Sequence, residues 1–382
     1  MSSVADIRKD KRRESGQMTK LSSRASVLLP EPEKHLEALA QLMEVHDIAV
    51  TRRGKDIHGQ FRFGEAELRI DGDAIVMDAT AADLASLNGI KLELTGSLSY
   101  VSKRELEIDW SGRNAALTSL PKFCILTVVS TTQISRSMRR VVFSGDNLAR
   151  FASNTNLHMR LAFPQPGSKP AWPRVDGNGR IVWPEGAARP TMRKYTIRSI
   201  DVGAGTLAVD FVVHADAGPG ARFANSAKAG DVVGMIGPGG LSVRPADWYL
   251  LAGDETALPA IARILEFLPE TARGLVLLEV DRAEDEQIIQ TGPHIEVRWL
   301  HRQGADAGTT TLLADAVRAA QLPHDHSRCF VWAACEYESF KAIRSYLRSD
   351  CGLGKDQHLV VSYWRKGKTE DEMEKASDRV AP

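Results

Sequence analysis

Arg193-Lys194-Tyr195-Thr196-Ile197-Arg198 is a strand pattern that carries a phenol, a hydroxyl and two guanidiniums. Side chains on a strand alternate between faces, so Arg193, Tyr195 and Ile197 share one face while Lys194, Thr196 and Arg198 share the other. An aromatic ring, a hydrogen-bond donor and a fixed cation are what a flat redox ring with a pyrophosphate tail requires of its protein. The six residues therefore read as a flavin cradle. Taken alone they also read as an ordinary amphipathic strand, and their surroundings decide between the two.

Around this stretch, residues 123–129, 138–144, 158–163, 181–183, 193–200, 207–214 and 232–236 alternate or run apolar between turn-rich connections, the pattern of a closed antiparallel barrel. The Pro-rich connection 164–190 is long for a compact domain. After the strand ending at His214, Gly218-Pro219-Gly220 leads into a predicted helix from Ala221, so backbone N–H groups and the helix dipole face an anion there.

From Trp248 the rhythm changes. Strands are predicted at 248–252, 274–280, 295–300, 329–334 and 358–364, alternating with helices at 256–268, 311–320 and 337–347. Such alternation implies a parallel sheet covered by helices, with ligands at the carboxyl ends of the strands. Gly253-Asp254-Glu255-Thr256-Ala257 follows a strand and opens a helix, where a nicotinamide dinucleotide would lay its phosphates; Asp254 and Glu255 also suit simple helix capping. Glu336 ends another strand and can orient nicotinamide or ribose, or cap the next helix. Glu279 and Asp281 would favour an unphosphorylated ribose and Arg282 a 2′-phosphate.

Upstream, residues 1–20 are polar and aperiodic and read as a disordered arm. Residues 34–45 show a helical apolar stripe, and 49–52, 59–64, 66–70 and 74–79 read as strands. A short helix over 81–87 and strands at 91–94, 98–101 and 106–110 complete a small α+β unit. His35, His46 and His58 lie at unrelated spacings, which reads as isolated histidines rather than a metal site. This unit resembles a small domain family of uncharacterised function that occurs alone or fused to siderophore-related reductases.

Lysine plus arginine equals aspartate plus glutamate at 49 each, so no overall basic field points to nucleic acid. The longest apolar runs are far below the roughly 20 residues that cross a bilayer, and no signal-peptide pattern follows the charged first residues, so no membrane insertion and a cytoplasmic location are expected. Cys124, Cys329, Cys335 and Cys351 lack Cys-x-x-Cys spacing, and no structural metal is expected, His324-Asp325-His326 included.

The motif series Arg193 to Arg198, Asp210-Phe211-Val212-Val213-His214, Gly218-Pro219-Gly220-Ala221-Arg222-Phe223-Ala224, Ala229-Gly230-Asp231 and Gly237-Pro238-Gly239-Gly240 resembles the siderophore-interacting protein family of the ferredoxin-reductase superfamily. So do Ala252 to Ile261, Val331-Trp332-Ala333-Ala334-Cys335-Glu336 and Tyr363-Trp364-Arg365-Lys366-Gly367, in the family's order, over roughly residues 121–368. The expected organisation is a multidomain chain, with a disordered arm at 1–30, the small α+β domain at 31–115, and a charged, frayed tail at 367–382 read from the residues themselves, and an antiparallel β-barrel FAD domain at 120–244 and an α/β parallel-sheet NAD(P)H domain at 245–366 whose cofactors the resemblance implies.

It also implies roles. FAD would be held by Arg193, Tyr195, Thr196, Asp210, His214, Gly218, Pro219, Gly220, Ala221 and Arg222, with Tyr195 on the isoalloxazine and Thr196 near N5 as the catalytic pair; a satisfied strand histidine is the other reading of His214. NADPH or NADH would lie on Gly253, Asp254, Glu255, Thr256, Ala257, Cys335 and Glu336. Lys194, Arg198 and Arg365 are candidate cations for a ferric siderophore or ferric chelate.

Ala221 and Phe223 replace a usual hydroxyl residue and tryptophan, and Cys335 and Ser362 replace usual glycines. These departures weaken the expected hold on the flavin and crowd the cleft; Cys335 itself reads as a buried, inert thiol. The expected activity is ferric-siderophore reduction that releases Fe(II). A flavin reductase with another acceptor and a non-catalytic siderophore- or flavin-binding module are the alternatives.

Overall fold

The computed structural model describes residues 20–45, 48–61, 64–104, 106, 108–111, 120, 123–146, 148–152, 156–175, 181–213, 218–239 and 243–377. His214 and His46 lie outside them. The chain divides into two compact units: one drawn from residues 1–121 and 173–183, the other from 122–172 and 184–382.

The first unit contains β1 (Leu21–Leu28), α1 (Pro32–Val45), β2 (Ala49–Arg53), β3 (Asp56–Phe61), β4 (Gly64–Asp71), β5 (Ala74–Ala81) and α2 (Leu84–Ser102). Its five strands form an antiparallel sheet in the order β1-β5-β4-β3-β2. Three expectations change here. The arm does not extend to residue 30, because β1 alternates exposed and buried positions and pairs along its whole length with β5. The strands expected at 91–94 and 98–101 are instead the body of α2. Leu87, Ile90, Leu94 and Leu98 recur at three and four and are all buried, and Asp83 caps the helix by accepting the Ser86 amide at 2.9 Å. The described residues of the strand expected at 106–110, 106 and 108–110, are not in a strand, although Ile108 and Trp110 are buried as that face required. Lys91 of α2 is fully buried, with its ammonium 5.8 Å from the Trp110 ring centre, and burial lowers its pKa to about 8.

The second unit begins with β6 (Phe123–Gln133), β7 (Met138–Gly145) and β8 (His158–Phe163). The Pro-rich connection carries a two-stranded ribbon, β9 (Arg174–Val175) and β10 (Ile181–Val182), which groups with the first unit. The strand expected at 181–183 is therefore not part of the barrel sheet. β11 (Thr191–Thr196), β12 (Ser199–Asp201), β13 (Thr206–Val212), α3 (Pro219–Ser226) and β14 (Val232–Gly239) complete the antiparallel lobe.

Its seven strands are ordered β11-β8-β14-β6-β7-β13-β12. The two edge strands are separated in sequence only by residues 197–198, so the sheet has to roll until its edges meet. The Ile197 amide extends the β11–β8 pairing by donating to the Leu157 carbonyl, and the Arg198 amide extends the β12–β13 pairing by donating to the Ala208 carbonyl, each at 2.9 Å. The two edges are thus joined at this seam by the covalent chain and not by a ladder between β11 and β12.

The α/β lobe follows with β15 (Trp248–Gly253), α4 (Leu258–Leu265), β16 (Arg273–Val280), β17 (Ile295–His301), α5 (Leu312–Ala319), β18 (Cys329–Glu336), α6 (Tyr337–Ser345), β19 (His358–Trp364) and α7 (Glu370–Ser377). The parallel sheet is ordered β17-β16-β15-β18-β19, so the chain reverses direction of travel between β15 and β18. In open α/β sheets that reversal opens a crevice at the strands' carboxyl ends.

The two lobes are not separate bodies. Met138 and Leu157 of the barrel lie in the same buried apolar cluster as Leu251, Ile261 and Trp332 of the α/β lobe. α4 also docks on the barrel seam, where the buried Arg263 donates to the Ile197 carbonyl at 2.8 Å and Glu266 pairs with Arg198 at 2.7 Å. Burial and the neighbouring Arg198 lower the Arg263 guanidinium to about 10, while Glu266 opposes the shift.

Candidate functional site

β11 and the start of α3 are assembled around a missing side chain. The Tyr195 ring lies 4.5 Å from Phe211 and edge-on to Phe163 at 6.1 Å, centre to centre. A Cβ placed on Gly220 would fall 1.7 Å from the Tyr195 hydroxyl, so the phenol can end beneath the first turn of α3 only because residue 220 is glycine. Burial pushes the phenol's pKa up, and Glu370 adds to this. Gly218 is the N-cap, Pro219 opens the helix, and the first amide with an intrahelical acceptor is that of Arg222, bonded to the Gly218 carbonyl at 2.9 Å. The Gly220 and Ala221 amides therefore have no helical partner and point out of the helix end. Free amides at a helix start are donors of the kind a pyrophosphate takes.

Thr196 ends β11 and is buried, in register with His158 of β8. The His158 imidazole is hydrogen-bonded through Nε2 to the Tyr363 hydroxyl of β19, and the two rings meet edge to face at 5.4 Å. Burial, helped by Arg263, lowers the His158 pKa to about 4, so the ring is neutral at neutral pH. The seam of the barrel therefore meets the last strand of the α/β lobe beside Thr196.

Four carboxylates crowd the crevice at the β15 and β18 ends, and every one of their oxygens is engaged. Asp254 accepts the Thr256 amide and hydroxyl at 2.9 and 2.5 Å, the Trp364 indole N–H at 2.8 Å and the Glu336 amide at 3.1 Å. Glu255 accepts both arms of the Arg302 guanidinium, at 2.5 and 3.0 Å. Glu279 accepts Arg302 and Thr310 at 3.3 Å each and the Leu313 amide at 3.2 Å. Glu336 accepts the Glu338 amide at 2.5 Å and the Lys366 amide at 3.1 Å. Burial raises the pKa of Asp254, Glu255 and Glu279; hydrogen bonds to Asp254 and the Arg302 cation on the two glutamates hold the rise in check. This network ties the ends of β15, β16, β18 and β19 into one rim.

The family models match at this point. Residues 127–242 fit the siderophore-interacting FAD-binding domain, and residues 246–367 fit the siderophore-interacting protein domain. The ferric vibriobactin reductase ViuB of Vibrio cholerae is 34% identical over 250 residues, which is 65% of this chain and 91% of that protein. The chain belongs to the siderophore-interacting protein family. Among solved family structures, a siderophore utilization protein from T. fusca is 38% identical with a TM-score of 0.59, over 65% of this chain and 94% of the other. The siderophore-interacting protein SipS from Aeromonas hydrophila is 31% identical with a TM-score of 0.57, over 68% and 98%. Residues 1–121 of the first unit precede both matched ranges, and its segment 173–183 lies within the first of them. As in the family model, FAD is the cofactor of the barrel lobe, and the two α3 amides without a helical partner fit its pyrophosphate.

Within this siderophore-interacting protein, several site expectations take a different form. Asp210 is fully enclosed and both its oxygens accept the Arg140 guanidinium, at 2.6 and 2.8 Å, directly across the β13–β7 ladder. It fixes that strand pair and offers no oxygen to a ligand. Asp254, Glu255 and Glu336 belong to the rim network, with Glu336 capping α6 as well, so the capping reading describes them better than direct cofactor contact. Thr256 is turned onto Asp254, and Gly253 is pressed close enough that a Cβ would lie 2.4 Å from that of Ala257. Glu279 is likewise used by Arg302 and α5, leaving Arg282, half exposed and 3.5 Å from Asp281, as the accessible polar group at that strand end.

Cys335 is buried in β18 beside Ser362, and burial with three nearby carboxylates raises its thiol pKa, so it is inert. Arg198 is an interlobe strut bound to Glu266 and not an open cation. Arg365 stacks 4.4 Å from the Tyr337 ring centre and stays exposed.

Within the expected frayed tail, residues 370–377 form a helix. α7 starts with a capping box: the Glu372 carboxylate accepts the Thr369 amide at 2.8 Å, and the Thr369 hydroxyl accepts the Glu372 amide at 3.3 Å. Its acids reach β11. Asp371 accepts the Arg193 fork at 2.9 and 3.0 Å, and Glu370 accepts the Lys194 amide at 3.3 Å. His158, Arg263, Arg302 and Asp371 were all missed in sequence. Only the last had a readable signal, the Thr369-Glu370-Asp371-Glu372 capping box.

Proposed function

We propose that this chain is an FAD-dependent NAD(P)H:ferric-siderophore reductase that releases iron as Fe(II) in the cytoplasm. The observation that carries the reading is the meeting of Thr196, at the end of the flavin-binding strand, with the end of β19 through His158 and Tyr363. A ring held along β11 then faces the carboxyl ends of the parallel sheet, where a nicotinamide belongs. The relatives named for ferric vibriobactin and siderophore use supply the substrate class.

Bound FAD would take a hydride's two electrons from NADPH or NADH and hand them on singly, so one NAD(P)H serves two Fe(III) and releases one proton. The chain's own residues bind and orient. Arg193 and the Gly220 and Ala221 amides hold the pyrophosphate, Tyr195 and Thr196 meet the ring, and the rim network keeps the crevice from deforming. Lys194 and Arg365 are the exposed cations that attract an anionic ferric chelate. Reduction loosens the iron because Fe(II) is held less tightly than Fe(III) by hard oxygen ligands.

Replacing Thr196 by Ala tests the placement. The hydroxyl contributes one hydrogen bond toward the reacting edge of the ring, and its loss should slow flavin reduction in stopped-flow by roughly tenfold with little change in FAD affinity. Unchanged reduction kinetics would remove Thr196 from the site.

A further inference from the structure

The same guanidinium that the flavin reading assigns to a pyrophosphate is held by a carboxylate of the chain itself. Arg193 donates through both terminal nitrogens to Asp371, at 2.9 and 3.0 Å, and through one of them to the Met192 carbonyl at 2.6 Å. Its fork is thereby filled in the bidentate geometry that a phosphate also uses. On the adjacent residue, Glu370 accepts the Lys194 amide and places its other oxygen 3.8 Å from the Lys194 ammonium. The contact is well covered on one side: the Arg193 and Glu370 side chains are 13% and 21% exposed. Two neighbouring carboxylates thus present two negative groups to β11 from a helix with a defined start, as a diphosphate would.

We propose that α7 is a tethered anionic competitor for the flavin tail. Glu370 and Asp371 hold Arg193 and Lys194 in the flavin-free protein, and α7 leaves β11 when FAD binds. The proposal rests on the reading of Arg193 as a pyrophosphate ligand. A competitor on the same chain acts at a high effective concentration, and apparent FAD affinity falls by the fraction of molecules in which it is docked. It also keeps Arg193 from standing unpaired before the cofactor is loaded.

The test is a fluorescence titration of FAD, and in parallel of riboflavin, into flavin-free protein: wild type, the double variant Glu370→Ala/Asp371→Ala, and Arg193→Ala. Exposed ion pairs contribute little each, so the double variant should bind FAD roughly fivefold more tightly, while riboflavin, which has no phosphate, should bind equally to both. Hydrogen exchange of the α7 amides in wild type should rise when FAD is added. If Arg193→Ala weakens FAD binding but the double variant binds FAD like wild type and α7 keeps its protection, the competitor is overturned and the flavin site stands. If Arg193→Ala leaves FAD binding unchanged, the assignment of Arg193 fails and the competitor fails with it.

Discussion

Gly220→Ala is expected to weaken FAD binding by roughly 5–150-fold while leaving the fold intact. In most helices this change is neutral or helpful, because alanine has a higher helix propensity and narrows the unfolded ensemble. Here the new methyl would sit 1.7 Å from the Tyr195 hydroxyl and 2.7 Å from the carbon that bears it. The phenol cannot retreat freely, since Phe211 and Phe163 pack against its ring. Either Tyr195 turns out of its place or the first turn of α3 lifts, and both displace a group to which the proposed function assigns the flavin. Overpacking of this kind costs about 1–3 kcal/mol, which corresponds to a factor of roughly 5–150 in affinity. Gly218→Ala is the matched control. Nothing lies within 4 Å of its new Cβ, and its φ of −66° suits any residue, so FAD binding should stay within about twofold of wild type. Equal behaviour of the two variants in a fluorescence titration would refute the role given to the space above Tyr195.

Arg302→Met should lower stability by about 3–5 kcal/mol, the usual cost of stranding buried charge. The Glu255 and Glu279 side chains are 6% and 7% exposed, and Arg302 is the cation that both share. The loss should shrink at lower pH. A carboxylate whose folded pKa lies above its unfolded value binds more protons when folded, so its contribution to stability falls as pH rises through and above the ordinary carboxylate range. Burial already raises Glu255 and Glu279, and removal of Arg302 raises them further. Denaturation of the variant at pH 5 should therefore show a smaller deficit than at pH 7, and adding Glu255→Gln should restore part of it. A deficit independent of pH would mean that packing, and not charge, is what Arg302 supplies.

The parallel sheet was legible because its central strands β15, β16 and β18 are buried on both faces and bounded by turns; its edge strand β19, and β8 of the barrel, fall where their apolar runs predict. α2 was not, because the glycines at 89 and 96 break a stripe whose spacing of three and four otherwise specifies one long helix. β1 escaped because its polar face supplies half of its eight residues, so that it reads as coil until β5 is there to pair with it. β11 and the Gly218-Pro219-Gly220 entry into α3 were readable as a strand and a helix start. What the carboxylates do was not, since the partners that convert Asp254 and Glu255 from ligands into rim supports, Trp364 and Arg302, lie 110 and 47 residues away. A sequence shows which groups are charged; only the fold shows which of them are already satisfied.

The central claim is that this chain passes electrons from a nicotinamide through FAD to ferric iron, and anaerobic absorbance spectroscopy of the FAD-loaded protein tests it most directly. NADPH or NADH should bleach the flavin band, and a ferric siderophore added next should restore it while an Fe(II) chelator takes up two irons per flavin reduced. A flavin that neither nucleotide bleaches, or that stays bleached in the presence of ferric chelates, would contradict the account.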